Sequence, residues 1–308
     1  VTVLEAIQKS TEFLAKKGVE SPRLQAELLL AHLLKMPRMK LYLNFERALA
    51  PAETDALREL VKRRGRREPL QHITGSVSFC GLEIAVNRQA LVPRPETELL
   101  AEAGWQFLNR EGRRAGDPNS GTAARHPSPN GFPTVLDFGT GTGCIAIALA
   151  VKCPGAKITA TDVSEEALAL AGENAARHNV TGQIQFLRGD GFEAFPTDES
   201  FDLIISNPPY IPSDEIATLQ PEVRDFDPRM ALDGGADGLD FYRRLGKEVK
   251  SFLKPDGRIM LEFGDGQDGA IRKIFEAEKW IVEAVKEDYS HRARILIATP
   301  SSSSRSSS

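Results

Sequence analysis

The chain has 308 residues, 41% hydrophobic and 27% charged, with 39 Lys and Arg against 43 Asp and Glu, so it is an ordinary globular composition at a formal net charge of −4. That length allows one large domain or two smaller ones. No apolar run approaches the roughly 18 residues of a membrane span and the first residues show no signal-peptide pattern; three cysteines (Cys80, Cys144, Cys153) and five scattered histidines offer no metal-ligand spacing. A cytoplasmic protein with no metal site and no membrane association is expected.

The charge is unevenly spread. Residues 1–75 hold 14 of the basic and 9 of the acidic residues, leaving 25 against 34 in the remainder. The two parts are expected to face different partners.

Residues 1–75 read as a small all-α domain with a linker. Leu4, Ile7, Phe13 and Leu14 recur at helical spacing up to Gly18. Ser21-Pro22 predicts a helix start, with a hydroxyl cap and proline at the first helical position; Leu24, Leu28, Leu29 and Leu33 follow. A further helix after Pro51 carries Leu57, Leu60 and Val61 and ends in Lys62-Arg63-Arg64-Gly65-Arg66-Arg67. That run is either a solvated helix end or a contact for an acidic or nucleic-acid-bearing partner.

A β-hairpin turning near Gly81 links this part to the rest, and Pro93-Arg94-Pro95-Glu96-Thr97-Glu98 leads into a helix with Leu99, Leu100 and Trp105. From 109 to 131 the composition shifts to Gly, Pro, Ser, Arg and Asn, predicting a flexible insertion; 301–308 reads as a disordered serine tail. Between them, 76–300 alternates strand and helix, with strands at 134–138, 157–162, 183–188, 201–206 and 257–262 and two more near 280–285 and 293–298. Alternation of this kind predicts an α/β fold, a doubly wound, mostly parallel seven-stranded sheet whose last two strands pair antiparallel.

Four strand ends carry polar or glycine-rich sequence. Asp137 and Gly139-Thr140-Gly141-Thr142-Gly143 follow the first strand, and glycines there let the backbone approach a ligand at a helix start. Asp162 ends the second strand, where a carboxylate can accept from ribose hydroxyls. Asp190-Gly191-Phe192 follows the third, suited to an adenine amino group and a covered ring. Ser206-Asn207-Pro208-Pro209-Tyr210 follows the fourth; two prolines stiffen the corner, so the Asn207 side chain and the Pro208 carbonyl become fixed acceptors for a planar –NH2 group. Gly141 to Ala146 also fits the dinucleotide G-x-G-x-x-A pattern, which keeps an NAD(P) enzyme open. Against it, Asp137 would repel a pyrophosphate, whereas the same acid suits a cationic amino acid group.

Asp137 to Gly143, Asp162 and Ser206 to Tyr210 resemble the class I (Rossmann-like) S-adenosylmethionine-dependent methyltransferases, and Asn-Pro-Pro-Tyr the members that methylate amino or amide nitrogen. Arg67 to Gly75, Pro93 to Glu98 and Asp227 to Leu239 narrow the resemblance to the PrmC/HemK family, over about residues 5–298; the family commonly has Glu-Pro where this chain has Asp227-Pro228. The resemblance implies methyl transfer from S-adenosylmethionine to the glutamine N5 of the Gly-Gly-Gln motif in class 1 peptide chain release factors, supporting translation termination. It implies catalytic Asn207, Pro208 and Tyr210, with Pro209 also facing substrate. Asp137, Gly139 to Gly143, Asp162, Asp190, Gly191, Phe192 and Asn207 would face the cofactor, in a monomer that does not bind DNA. An adenine-N6 DNA methyltransferase sharing Asn-Pro-Pro-Tyr is the enzyme alternative, and a cofactor-binding adaptor without catalysis the non-enzymatic one.

Overall fold

The computed structural model describes residues 1–116, 131–190 and 199–301. They fall into two compact units: Val1–Ser76 with Val86–Arg88 and Leu219–Asp227, and Val77–Ala85 with Gln89–Thr218 and Pro228–Ser308.

The first unit is helical, with helices at Val3–Lys16, Pro22–Leu33, Arg38–Tyr42, Pro51–Gly65 and Leu70–Thr74. Its core gathers Val3, Ile7, Leu14, Leu29, Leu30, Leu41, Leu57, Val61 and Ile73. Thr2 and Glu5 form a capping box at the first helix, each side chain accepting from the other's backbone N–H. The second helix starts at Pro22 as expected, but Ser21 adopts a left-handed conformation (φ 46°) and its hydroxyl makes no cap hydrogen bond. Its inner face is Ala26, Leu29 and Leu30, and Leu24 is exposed. The face is turned because Glu27 is buried on it, accepting from Arg23, Arg38 and the Tyr42 hydroxyl at 2.9–3.0 Å.

The basic run is divided: Lys62 and Arg66 are exposed, as a solvated helix end would be, while Arg63, Arg64 and Arg67 are held by carboxylates. Arg64 is 4% exposed and pairs with Glu222 at 2.7 Å. Arg67 makes a fork to both oxygens of the same carboxylate at 2.6 Å. Arg63 pairs with Glu68. The three guanidiniums hold this unit together, and Glu222 reaches it because 219–227 belongs to it.

In the second unit, strands β1 (Ser76–Phe79) and β2 (Leu82–Ala85) form the expected hairpin. It turns at Cys80 and Gly81, both at positive φ (51° and 79°), as the tightest hairpin turns require. The helix Pro95–Gly116 runs beyond residue 109, where the insertion was expected to begin; 117–130 lie outside the described residues, as do 302–308.

The main sheet has seven strands: β3 (Thr134–Phe138), β4 (Lys157–Asp162), β5 (Ile184–Arg188), β6 (Phe201–Ser206), β7 (Leu253–Glu262), β8 (Trp280–Glu287) and β9 (Ala293–Pro300). Their order is β5-β4-β3-β6-β7-β9-β8, with β9 antiparallel to both β7 and β8 and the other pairs parallel. The pleat sends alternate residues to opposite faces. Val135, Leu203 and Ile205 enter one core with helix Cys144–Lys152, and Leu136 and Ile204 enter another with Tyr242, Leu245, Phe275 and Trp280. Helices therefore cover both faces, which is why every residue of β6 is buried.

The chain order reverses on either side of β3, the switch point at which such sheets open a crevice. The register aligns strand ends there: Phe138 lies opposite Thr161, Asp137 opposite Ile205, and Asp162 opposite Arg188. Ser206 lies opposite Leu261, so Asn207 and Glu262 leave adjacent strands at the same end.

Candidate active site

The cavity at this switch point belongs wholly to the second unit. Its wall includes Gly139, Gly141, Asp162, Asp190, Asn207, Pro208 and Pro209, drawn from the ends of four strands. The sequence therefore identified the strand ends that meet. It missed Gln89, Ala90 and Leu91 before the proline block, and Met230, Ala231 and Phe241 after the Asp227-Pro228 step. Met230 and Ala231 lie inside the Asp227 to Leu239 block without having been marked as site residues, and the others carry no signature beyond proximity to the motif blocks.

The glycine turn is bent by positive φ at Gly139 (74°), Gly141 (55°) and Gly143 (80°). The Gly139 and Thr140 N–H groups both donate to the Thr161 carbonyl. At Gly143 a side chain would be strained, since the φ of 80° disfavours one and a Cβ would sit 3.0 Å from that of Ala171. Gly139 and Gly141 leave backbone at the cavity wall, where a side chain would stand in the way of a ligand.

Asp137 is not in that wall. It is fully buried beneath the turn, where Oδ2 accepts from the Thr140 hydroxyl (2.7 Å) and the Ala146 N–H (3.2 Å). Burial pushes its carboxyl up to about 7, despite those two hydrogen bonds. Its Oδ2 thereby holds the loop against the helix start, while Oδ1 is buried without a hydrogen-bond partner. Thr140 serves the same arrangement; Thr142 and Gly143 also lie outside the cavity wall.

Asp162 does face the cavity. Its Oδ2 accepts from the Gly141 N–H at 2.9 Å and its Oδ1 from the Ser164 N–H at 3.0 Å, which fixes the carboxylate while each oxygen keeps a second lone pair. Asp190 lines the wall too, with Oδ1 bound by Arg244 Nη1 at 2.7 Å. Gly191 and Phe192 lie outside the described residues.

Asn207 lines the cavity and its Nδ2 donates to the buried Thr97 hydroxyl oxygen at 3.2 Å. Ser206 anchors the strand end by donating to the Phe138 carbonyl at 2.6 Å. Tyr210 departs from expectation. It packs against the core that holds Tyr242 and Phe263 rather than forming cavity wall, and its carbonyl accepts from Gln267 Nε2 at 2.9 Å. Burial raises its phenol to about 12, so it stays a neutral hydroxyl.

The donor set discriminates between ligands. The wall holds two carboxylates and, among the described residues lining it, no Lys or Arg. With Asp190 bound by Arg244, the carboxylate of Asp162 remains to oppose a pyrophosphate and to favour a cationic ligand. That disfavours the dinucleotide reading of the glycine turn. Among the described residues no group of His, Cys, Asp and Glu could hold a metal ion, and no helix is long and apolar enough to cross a membrane.

Comparison with known proteins agrees with this geometry. Residues 5–75 match the model of the PrmC N-terminal domain, and 120–220 that of the methyltransferase small domain. A release factor glutamine methyltransferase of Geobacter sulfurreducens is 42% identical over 274 residues, covering 89% of this chain and 88% of that protein. One from Chlorobaculum tepidum is 38% identical over 298 residues, covering 96% of each. The human METTL16 catalytic domain, solved with a MAT2A 3′UTR hairpin, matches with a TM-score of 0.50 over 71% of this chain and 76% of that one; at 16% identity it shares the fold alone. A seven-stranded switch-point cavity, an Asn-Pro-Pro-Tyr corner in register with it, and relatives this similar over nearly their whole length converge: the chain belongs to the release factor glutamine methyltransferase family.

Proposed function

We propose that this chain transfers a methyl group from S-adenosylmethionine to the side-chain amide nitrogen (N5) of the glutamine in the Gly-Gly-Gln motif of a class 1 peptide chain release factor. It would act as a cytoplasmic monomer, and its three thiols, all unpaired, suit a reducing compartment. The observation that carries the reading is the placement of Asn207 and Pro208 in one cavity wall with Gly139, Gly141 and Asp162. Binding of the nucleoside falls to Asp162 at the ribose, to Asp190 beside the base, and to the glycine backbone.

The bound cofactor supplies an activated methyl sulfonium. An amide nitrogen is a poor nucleophile because its lone pair is delocalised into the carbonyl. The chain's part is therefore alignment and electrostatics at that nitrogen. Asn207 Oδ1 and the Pro208 carbonyl accept the two amide protons, which orients the nitrogen and raises its electron density. Transfer forms the nitrogen–carbon bond, leaves the breaking carbon–sulfur pair on sulfur, and releases one amide proton. Positive charge is dispersed along the way, so a cavity that excludes water costs this step little.

Substrate recognition is assigned to the helical residues 1–75. Since Arg63, Arg64 and Arg67 are occupied by internal carboxylates, the recognising groups are others on that unit. The test is a labelled-methyl assay with a class 1 release factor, the same factor with its motif glutamine replaced by alanine, and duplex DNA. Label only in the intact factor is expected. Label in DNA, or in the replaced factor at equal rate, would reject the substrate.

A further inference from the structure

The Asn207 amide can face the cavity in two ways, related by a half-turn that exchanges oxygen and nitrogen. Only one of them presents an acceptor to a substrate –NH2 group. The polar groups behind Asn207 distinguish the two. Its Nδ2 donates to Thr97 Oγ1 at 3.2 Å, and the Thr97 hydroxyl hydrogen bonds to the Glu262 carboxylate. Thr97 has one proton to give. An ionised Glu262 can only accept, so Thr97 spends its proton there and accepts from Asn207, which turns the nitrogen inward and Oδ1 outward. A protonated Glu262 would donate to Thr97 and release that constraint.

Each member of this chain is fixed independently. Thr97 is 2% exposed in the first turn of helix Pro95–Gly116, and its N–H donates to the Arg94 carbonyl. Glu262 is 2% exposed at the end of β7, in the register position beside Asn207. Its Oε2 is buried without a hydrogen-bond partner, an arrangement that costs stability and points to a role other than packing. Burial raises the Glu262 carboxyl to about 7, with the Thr97 hydrogen bond opposing that shift; Glu96 and Tyr210, and the cations Arg94 and Arg294, also face it.

We propose that Thr97, with its proton held by the carboxylate form of Glu262, is the positioning residue that turns the Asn207 carboxamide oxygen toward the substrate. The inference rests on the assignment of Asn207 as the acceptor for the substrate amide. It also explains why threonine stands between two acids in Pro-Glu-Thr-Glu: the hydroxyl is needed for direction rather than charge. Valine has nearly the same shape as threonine but neither donates nor accepts. Serine keeps the hydroxyl and loses a methyl group.

The experiment compares Thr97→Val, Thr97→Ser, Asn207→Ala and the double variant Thr97→Val/Asn207→Ala, in the full chain with a class 1 release factor. Single-turnover methyl transfer and calorimetric S-adenosylmethionine affinity are read for each, with circular dichroism confirming the fold. Thr97→Val is expected to slow transfer about 10-fold or more, the scale of one mispositioned contact at a reacting centre. Cofactor affinity should hold, and Thr97→Ser should stay within about 3-fold of the parent. In the Asn207→Ala background the Thr97→Val change should cost nothing further, because a residue acting only through Asn207 has nothing left to position. Equal transfer by Thr97→Val and the parent, or a Thr97→Val loss that simply multiplies with that of Asn207→Ala, overturns the proposal. Full transfer by Asn207→Ala instead overturns the acceptor assignment beneath it, so the two failures are separable.

Discussion

Asn207 and Asp162 both line the cavity, and on the proposed roles their substitution should separate rate from affinity. On the proposed role, truncating Asn207 to alanine removes the acceptor that orients the nitrogen, while Asp162 and the glycine backbone remain to hold the nucleoside. Methyl transfer is expected to fall about 100-fold or more, the loss typical of one preorganised polar contact, while calorimetric affinity for S-adenosylmethionine is retained. Truncating Asp162 removes the carboxylate that Gly141 and Ser164 hold in place at 2.9 and 3.0 Å. Cofactor affinity should then drop at least 10-fold, as a polar group is left without its charged partner, and saturating cofactor should recover much of the rate. Both residues were legible in the sequence because each sits where an apolar strand gives way to a polar turn. Thr97 and Glu262 were not. They lie 110 residues before and 55 after Asn207, and only the pairing of β6 with β7 brings Glu262 to it. Asp137 was legible as a functional acid but its direction was not, since the same strand end can aim a carboxylate inward or outward.

At the level of elements, the strands were readable because each is a short apolar run between turn residues. Their lateral order was not, and β9 inserting between β7 and β8 follows from packing rather than from any local pattern. The helix Arg38–Tyr42 went unseen for a similar reason: five residues, three of them basic or tyrosine, show no periodicity. The loop after Asp227-Pro228 was recognisable only as a motif, and the structure supplies its reason. Ile211 and Leu232 to Gly234 exchange backbone hydrogen bonds, and Gly234 and Gly238 press against the carbonyls of Pro209 and Tyr210. The loop thus props the back of the Asn-Pro-Pro-Tyr corner. A Cβ at Gly238 would collide with the Tyr210 carbonyl at a backbone φ of 75°. Gly266 has the same φ and open space around it, so it serves as a control. Gly266→Ala should cost only the left-handed penalty of about 1–2 kcal/mol. Gly238→Ala should cost clearly more by urea denaturation and also slow methyl transfer, because the corner must shift to admit the methyl group. Equal destabilisation by the two substitutions would mean that the corner does not depend on this prop.

Across the whole molecule the two units carry ionisable groups with opposite responses to acid. In the helical unit, burial raises the Glu222 carboxyl, but hydrogen bonds from Arg67 and Arg64 outweigh it and hold the group below its usual range. Its contribution to stability is therefore complete above pH 4.5, the ordinary value, and is lost as pH falls through the lower folded value. In the sheet unit, burial raises Asp137 and Glu262 to about 7, so their charged forms weaken the fold at neutral pH. As pH falls from about 7 toward ordinary carboxyl values, the folded state takes up protons that the unfolded chain has not yet bound, and the sheet unit gains stability. Scanning calorimetry between pH 7.5 and pH 3 should accordingly show the sheet transition rising at first on acidification, with the helical transition steady until about pH 4.5 and falling below it. Glu222→Gln should destabilise the helical unit at neutral pH by about 3 kcal/mol, the low end for a buried pair deprived of one partner, and blunt its acid response. Asp137→Asn with Glu262→Gln should flatten the sheet transition between pH 7 and 4. A sheet transition that falls steadily from pH 7 in the parent chain would show that these two buried carboxyls are ionised at neutral pH and supported by their neighbours. The Asn207 corner would then rest on a charged Glu262 throughout the working range.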